Sequence, residues 1–346
     1  MKNICLIFGG KSSEHEVSLR SASAILSGID RKKYNPILLG ITKDGVWYVF
    51  EGDSQKIADG SWIFDEQNLT KATLSVNCGE KVLVLDDGRK LPIDVAYPAV
   101  HGENCEDGRL QGLFELAGIP FVGPGSLASA ISMDKSVTKA ILNGLGIPQA
   151  RAFVVFEYHK ASAFCEAKKW ASEIGYPVFV KPTSAGSSVG SAKVNCECEL
   201  DSALENALNY GGKAMIEEYI TAREVEVAVL GNDTLTVSEC GEIEPGADFY
   251  DYDTKYKNDT ASYYIPARVS EKKRLEIREY AKTIFSALGC KGLSRVDFFV
   301  TADEKIYFNE INTLPGFTSI SMYPKLMMNE GMSFTELVTK LIELAK

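Results

Sequence analysis

The chain has 346 residues, 45% hydrophobic and 24% charged, the composition of a globular protein too long for one ordinary core. Its net charge of −10 and scattered Lys and Arg argue against a nucleic-acid partner, because such binding rests on clustered cations. The longest early apolar stretch, Ile4 to Phe8, is too short for a signal peptide or a membrane span, which leads to a cytoplasmic protein with no membrane partner.

The first third alternates strand and helix. Asn3 to Phe8 reads as a strand, Gly9 to Ser13 as a loop and Val17 to Ile29 as a helix. Strands follow at Pro36 to Ile41, Lys81 to Leu85 and Asp94 to Val100, then a helix from Leu110 to Ala117 stopped by Gly118. This pattern predicts a doubly wound, Rossmann-like sheet of parallel strands that binds ligands beyond its carboxyl ends, where Glu16 and His101 sit. The Gly-Gly-Lys-Ser run at 9–12 is not a P-loop, because Cys5 stands where the first glycine belongs. It offers backbone N–H groups and a helix N-terminus to a charged substrate group.

In the middle of the chain, helices at Ser132 to Leu145 and Ala161 to Ile174 bracket a strand at Arg151 to Phe156. A further strand, Tyr176 to Lys181, runs into a loop containing Gly186, Ser187, Ser188, Val189 and Gly190. Glycines, N–H donors and two hydroxyls are what a phosphate cradle needs, although most Gly/Ser stretches are plain turns. Lys181, between Val180 and Pro182, is poorly placed for free solvation, and Lys135 and Lys255 add charge; for each lysine singly, a solvated surface position stays open. Strands at Ala214 to Tyr219, Glu224 to Leu230 and Thr234 to Cys240 come next. The run from Met215 to Glu224 offers backbone groups to an adenine edge and Glu224 to ribose hydroxyls, or is simply a strand.

Arg295 to Ser321 contains a hairpin with its turn at Thr301 to Glu304, which sets position 295 opposite 310 and 297 opposite 308. Asp297 then lies diagonal to Glu310 on one face with Asn312, a set of three hard oxygen ligands suited to Mg²⁺; a solvated acidic edge is the alternative. A closing helix starts at Ser333 with a capping box to Glu336. The eight cysteines read as free thiols, Cys196 and Cys198 being wrongly spaced for zinc, and three histidines exclude a His-rich metal site.

Seven motifs in order, GGKSSEHEVSL at 9–19, HGENCEDG at 101–108, MDK at 133–135, VKPTSAGSSVG at 180–190, DFYDYDTKY at 248–256, GLSRVDFF at 292–299 and FNEINTLPGFTSISMYP at 308–324, span nearly the whole chain. Together they resemble the D-alanine–D-alanine ligases of the ATP-grasp superfamily. The resemblance implies an ATP-grasp fold, α/β and α+β, behind an N-terminal doubly wound domain. The units would be 1–125 (substrate binding), 126–214 (phosphate loop) and 215–346 (lid and metal site). It implies joining of two D-alanines through an acyl phosphate for peptidoglycan precursors, with ATP, two Mg²⁺ ions replaceable by Mn²⁺, a cytoplasmic location and a homodimer.

By the same resemblance Asp297, Glu310 and Asn312 are the metal ligands and Lys135 and Lys181 the phosphate-contacting lysines, next to Ser188. Glu217, Tyr219, Ile220 and Glu224 line the adenosine site, and Phe249 and Lys255 lie in the loop that closes over ATP. Glu16 would hold the ammonium of the first D-alanine in a triad with Ser187 and Tyr256, Arg295 and the Gly316 N–H would stabilise an oxyanion, and His101, Ser321 and Met322 would meet substrate. Cys105 stands where relatives often have glycine, which leaves the loop around His101 open. Ligases forming D-alanyl-D-serine or D-alanyl-D-lactate, of the vancomycin-resistance type, are the alternative; Tyr256 and Met322 look like the plain D-alanine pattern.

Overall fold

The computed structural model describes residues 1–244 and 261–345. Phe249, Lys255 and Tyr256, and with them the expected closing loop, lie outside the described residues.

Three sheets carry the chain. The first holds β1 (Lys2–Gly9), β2 (Tyr34–Ile41), β3 (Trp47–Phe50), β4 (Leu69–Leu74), β5 (Val82–Leu85), β6 (Lys90–Pro92) and β7 (Val95–Pro98), in the order β6-β5-β4-β3-β2-β1-β7. Pairing is parallel only among β2, β1 and β7; β3 to β6 add an antiparallel extension. The expected all-parallel arrangement is corrected here, because the links between β2 and β3 and between β5 and β6 are too short for a crossover, which takes a dozen or more residues. Strand β1 is buried on both faces. Ile4, Leu6 and Phe8 pack with Leu19, Ile25 and Leu26 of the helix His15–Gly28, whereas Cys5 and Ile7 pack with Leu110, Phe114 and Phe121. A continuous apolar run is what such a strand requires.

The second sheet, β8 (Ala152–Phe156), β9 (Val178–Pro182), β10 (Ala192–Val194) and β11 (Lys213–Glu218), is antiparallel, and the helices Lys160–Ile174 and Glu197–Leu208 contribute to its core. Because β11 pairs with both β8 and β9, the expected border between 214 and 215 falls inside a strand; the chain leaves this sheet only after Glu218. Cys196 and Cys198 are joined by a disulfide, against the reading of eight free thiols: the start of the 197–208 helix brings their Cα atoms to 5.4 Å, within disulfide reach.

The third sheet joins β12 (Arg223–Gly231), β13 (Leu235–Val237), β14 (Gly241–Glu244), β15 (Ser262–Tyr264), β16 (Gly292–Val300) and β17 (Ile306–Asn312), with the helix Glu271–Ala287 packed on it through Ile277, Ala281, Ile284 and Phe285. In the hairpin β16–β17 the register differs from expectation. Arg295 faces Asn312 and Asp297 faces Glu310 directly, because a bulge between Asp297 and Phe298 absorbs the extra residue Asn309 before Phe298 meets Phe308. The single helix expected over 132–145 is two, Ser126–Met133 and Lys135–Asn143, divided at Asp134, whose side chain caps the second by accepting from the N–H groups of Ser136 and Val137.

The closing helix Phe334–Leu344 has the expected capping box, the Ser333 N–H donating to Glu336 at 2.8 Å. Its Leu337, Val338, Leu341 and Ile342 belong to the same core as Ile4 and Leu19, so the last helix completes the first domain's interior. Truncating Leu341, fully buried there, to Ala should lower unfolding stability by about 2–5 kcal/mol in urea denaturation. A loss under about 1 kcal/mol would mean that this helix lies outside the core.

Candidate active site

A cleft of about 460 Å³ opens between the second and third sheets, and residues from distant segments converge on it. Lys135, Lys181, Ser187, Ser188, Glu217, Tyr219, Ile220 and Glu224 line it together with Arg295, Asp297 and Glu310. The topology explains the meeting: β9 carries Lys181 at its penultimate position and leads into the loop, while β11 beside it ends in Glu217 and Glu218 and passes through a short link into β12.

At one end, Glu217 is buried between two lysines. Lys139 Nζ is 2.7 Å from its Oε1 and Lys181 Nζ 2.6 Å from its Oε2. Burial alone would raise the Glu217 pKa, but Lys181 and Lys139 outweigh it and hold the carboxyl below its ordinary range. Lys139 escaped the sequence reading, although its place four residues beyond Lys135 on a helix puts both on one face. Tyr219 lies beneath Lys193, whose Nζ is 4.2 Å from the ring centroid.

In the centre, Arg295 grips Asp297 bidentately, Nε to Oδ1 and Nη2 to Oδ2 each at 2.8 Å, and Nε also lies 2.9 Å from Glu226. Burial would lower the guanidinium pKa, yet Asp297 and Glu226 raise it well above its ordinary value. Asn312 donates to Asp297 at 2.9 Å, and Lys135 Nζ lies 3.2 Å from Glu310. Asp297 and Glu310, opposite each other on adjacent strands with Asn312 alongside, form an oxygen donor set that fits Mg²⁺, which takes one or two carboxylates and completes its shell with water and phosphate oxygens. Among the described residues no cluster of three or more His, Cys, Asp or Glu side chains is placed to hold a metal.

In the phosphate loop, Ser187 and Ser188 both adopt left-handed backbone, at φ 49° and 58°, a conformation that non-glycine residues take at a cost. The Ser187 hydroxyl donates to Glu14. This corrects the assignment of Glu16. The helix begins at His15, so Glu14 stays at its mouth, buried, while Glu16 turns outward to Lys43 and solvent. Glycine at 102 and 186 permits the approach: a Cβ at either position would stand 2.8 or 2.7 Å from Glu14 Oε2.

His101 is also corrected, from a substrate contact to a strut. Its Nδ1 meets the Leu314 carbonyl at 2.9 Å, and its Nε2 meets Ser21 Oγ at 2.9 Å. Burial keeps the ring's pKa low, so Nδ1 carries the proton and donates to the carbonyl while the Ser21 hydroxyl donates to Nε2. Ser21 in turn accepts from the Phe317 N–H at 3.2 Å, which pins the segment carrying Gly316. Beside Gly316, Ser321 Oγ accepts from the Thr318 N–H at 3.0 Å. Met322 is 2% exposed and packs in the core against Gly241, so its side chain does not line this cleft.

Residues 3–124 match the family described as D-ala D-ala ligase N-terminus, and residues 141–343 match D-ala D-ala ligase C-terminus. A D-alanine–D-alanine ligase from Acetivibrio thermocellus is 48% identical, covering 99% of this chain and 96% of its own. Among solved structures, the VanG D-Ala:D-Ser ligase from Enterococcus faecalis superposes with a TM-score of 0.91 at 42% identity, over 99% of both chains. The D-alanine–D-alanine ligase from Coxiella burnetii gives 0.85 at 33% identity, over 100% of this chain and 95% of that one.

Glu106, buried, accepts from the Gly102 N–H at 3.1 Å, and burial followed by the nearby Glu14 pushes its pKa up to about 8. A carboxyl raised this way favours the folded state fully below its ordinary pKa and loses that contribution as pH climbs through about 8. In ligand-free protein, Glu106→Gln, neutral throughout, should therefore match the parent's Tm below the ordinary carboxyl pKa of 4.5 and exceed it by a margin that grows up to about pH 8 and then levels off. A Tm difference constant over that range contradicts the raised pKa.

Proposed function

The chain belongs to the D-alanine–D-alanine ligase family, ATP-dependent and ADP-forming enzymes that join two D-alanines for cell-wall precursor synthesis, and we propose how its side chains divide that work. The contact of Ser187 with Glu14 is the observation that carries the proposal, because it brings the phosphate loop against the mouth of the first domain. Glu14, rather than Glu16, holds the ammonium of the first D-alanine and leaves its carboxylate facing the γ-phosphate. Lys135 and Lys181 hold phosphate oxygens, with Ser188 beside them, and Tyr219, Ile220 and Glu224 surround the adenosine.

The carboxylate attacks the γ-phosphorus, giving an acyl phosphate and ADP; the second D-alanine's amine then attacks the activated carbonyl and phosphate leaves. Asp297, Glu310 and Asn312 would hold Mg²⁺, or Mn²⁺ in its place, which neutralises charge on the phosphate oxygens. Arg295, already fixed by Asp297 and Glu226, and the Gly316 N–H face the developing oxyanion with little left to reorganise. A closing role for Phe249, Lys255 and Tyr256 stands on the family resemblance alone. Cytoplasmic residence, a homodimer and a division into substrate, phosphate-loop and metal-site units belong to the same proposal. Among the described residues no helix is long and apolar enough to cross a membrane.

ADP release with D-alanine as sole amino acid tests the assignment. Glu14→Gln should reduce kcat/KM on the order of 100-fold, the effect of losing a charge-assisted hydrogen bond. Glu16→Gln should change it by less than about twofold, as for an exposed ion pair. The reverse ranking would return the role to Glu16.

Chelation should stop turnover, and Asp297→Asn should need a markedly higher Mg²⁺ concentration for half-maximal rate, since half the carboxylate charge is gone. Metal titration of initial rates checks this; an unchanged midpoint removes Asp297 from the metal site. With equimolar D-alanine and D-serine competing at the second position, the dipeptide formed should be mainly D-alanyl-D-alanine by mass.

A further inference from the structure

We propose that Lys139 is a positioning residue of the nucleotide site: standing behind the cleft, it keeps Glu217 ionised and aimed at a base that presents an amino group. The inference rests on the reading that this cleft takes ATP. Lys139 is held from two sides, donating to the Ala150 carbonyl at 2.9 Å and pairing with Glu217 at 2.7 Å, and it is 7% exposed. Ala150, Glu217 and Lys181 line the cleft that Lys139 backs.

A single lysine would neutralise Glu217, and burying a second cation is unfavourable, as the lowered pKa of Lys139 shows, burial being its main cause. The second cation has a use once a nucleotide arrives. Lys181 reaches both Glu217 and, at 3.4 Å, Asn309 on the metal hairpin, so a polyphosphate beside that hairpin draws Lys181 away from Glu217. Without Lys139, Glu217 would then be a buried carboxylate with its countercharge displaced; it would hold Lys181 back or take up a proton. With Lys139 fixed to Ala150, Glu217 stays an acceptor while Lys181 serves the phosphates. A carboxylate acceptor favours the exocyclic amino group of adenine over the carbonyl that guanine places there.

The test measures KM for ATP, KM for D-alanine and the ATP/GTP ratio of kcat/KM for Lys139→Met, Lys139→Arg and Lys181→Met. Lys139→Met should raise KM for ATP about tenfold or more and lower the ATP/GTP ratio, with KM for D-alanine nearly unchanged. Lys139→Arg, which keeps the charge, should restore most of both. If Lys139→Met lowers Tm but leaves KM for ATP and the ATP/GTP ratio as in the parent, the residue is structural and the proposal fails. A proportional rise in both KM values overturns it as well. Should Lys139→Met not fold, Lys139→Gln, which keeps a donor for Ala150 without the charge, is read by the same criteria. Lys181→Met separates the two readings: if it too leaves KM for ATP unchanged, the cleft is not the nucleotide site, whereas a raised value beside an unaffected Lys139→Met sinks only the present inference.

Discussion

The arrangement of the cleft depends on the partly buried guanidinium of Arg295. Strands β12 and β16 are paired so that Glu226 stands opposite Asp297, and β17 brings Glu310 to the other side of Asp297. Three carboxylates across three adjacent strands repel one another in a poorly solvated place. Arg295 offsets two of them with a planar fork that lysine cannot imitate, and Lys135 reaches the third. Because these cations are themselves mostly withdrawn from solvent, each sign stabilises the other, and the charges fix each other's geometry. The cleft is thus held ready by electrostatics, with apolar packing beneath it from Phe298, Phe308 and Ile284.

A second set of constraints ties this centre to the amino-terminal sheet. Ser187 meets Glu14, and His101 and Ser21 grip the Leu314 carbonyl and the Phe317 N–H. The backbone around Gly316 therefore takes its position from a helix and a loop more than 200 positions earlier, His101 lying 213 residues from Leu314. Hydrogen bonds of this kind are directional in a way that apolar packing is not, so they set the orientation of a single peptide group rather than merely its neighbourhood.

Much of this was legible from the chain because local chemistry speaks locally. Ser333 and Glu336 announce a helix start, and alternation announces the hairpin of β16 and β17. What escaped depends on offsets of one residue or on partners far away. The bulge at Asp297/Phe298 shifts the hairpin register, and no local residue signals it. Glu14 and Glu16 are equally acidic in sequence; only the helix beginning at His15 decides which faces inward. Asp134 divides a run whose periodicity reads as one helix, a capping signal outweighed by the apolar pattern around it. Lys139 could have been found by its spacing from Lys135, but its partner Glu217 lies on a strand 78 positions on, beyond the reach of any local rule.

The enclosure of the first strand has a consequence for how the protein is made. During synthesis Ile4, Leu6 and Phe8 leave the ribosome long before Leu337, Val338, Leu341 and Ile342, which close the cluster they join. Vectorial folding cannot finish this core: the segments that form the second and third sheets must be translated before one of its flanks is sealed. Until then the nascent chain carries an open apolar surface, the kind that chaperones cover. A chain truncated before Phe334 would keep every residue that lines the cleft and lack one flank of the core beside the first sheet.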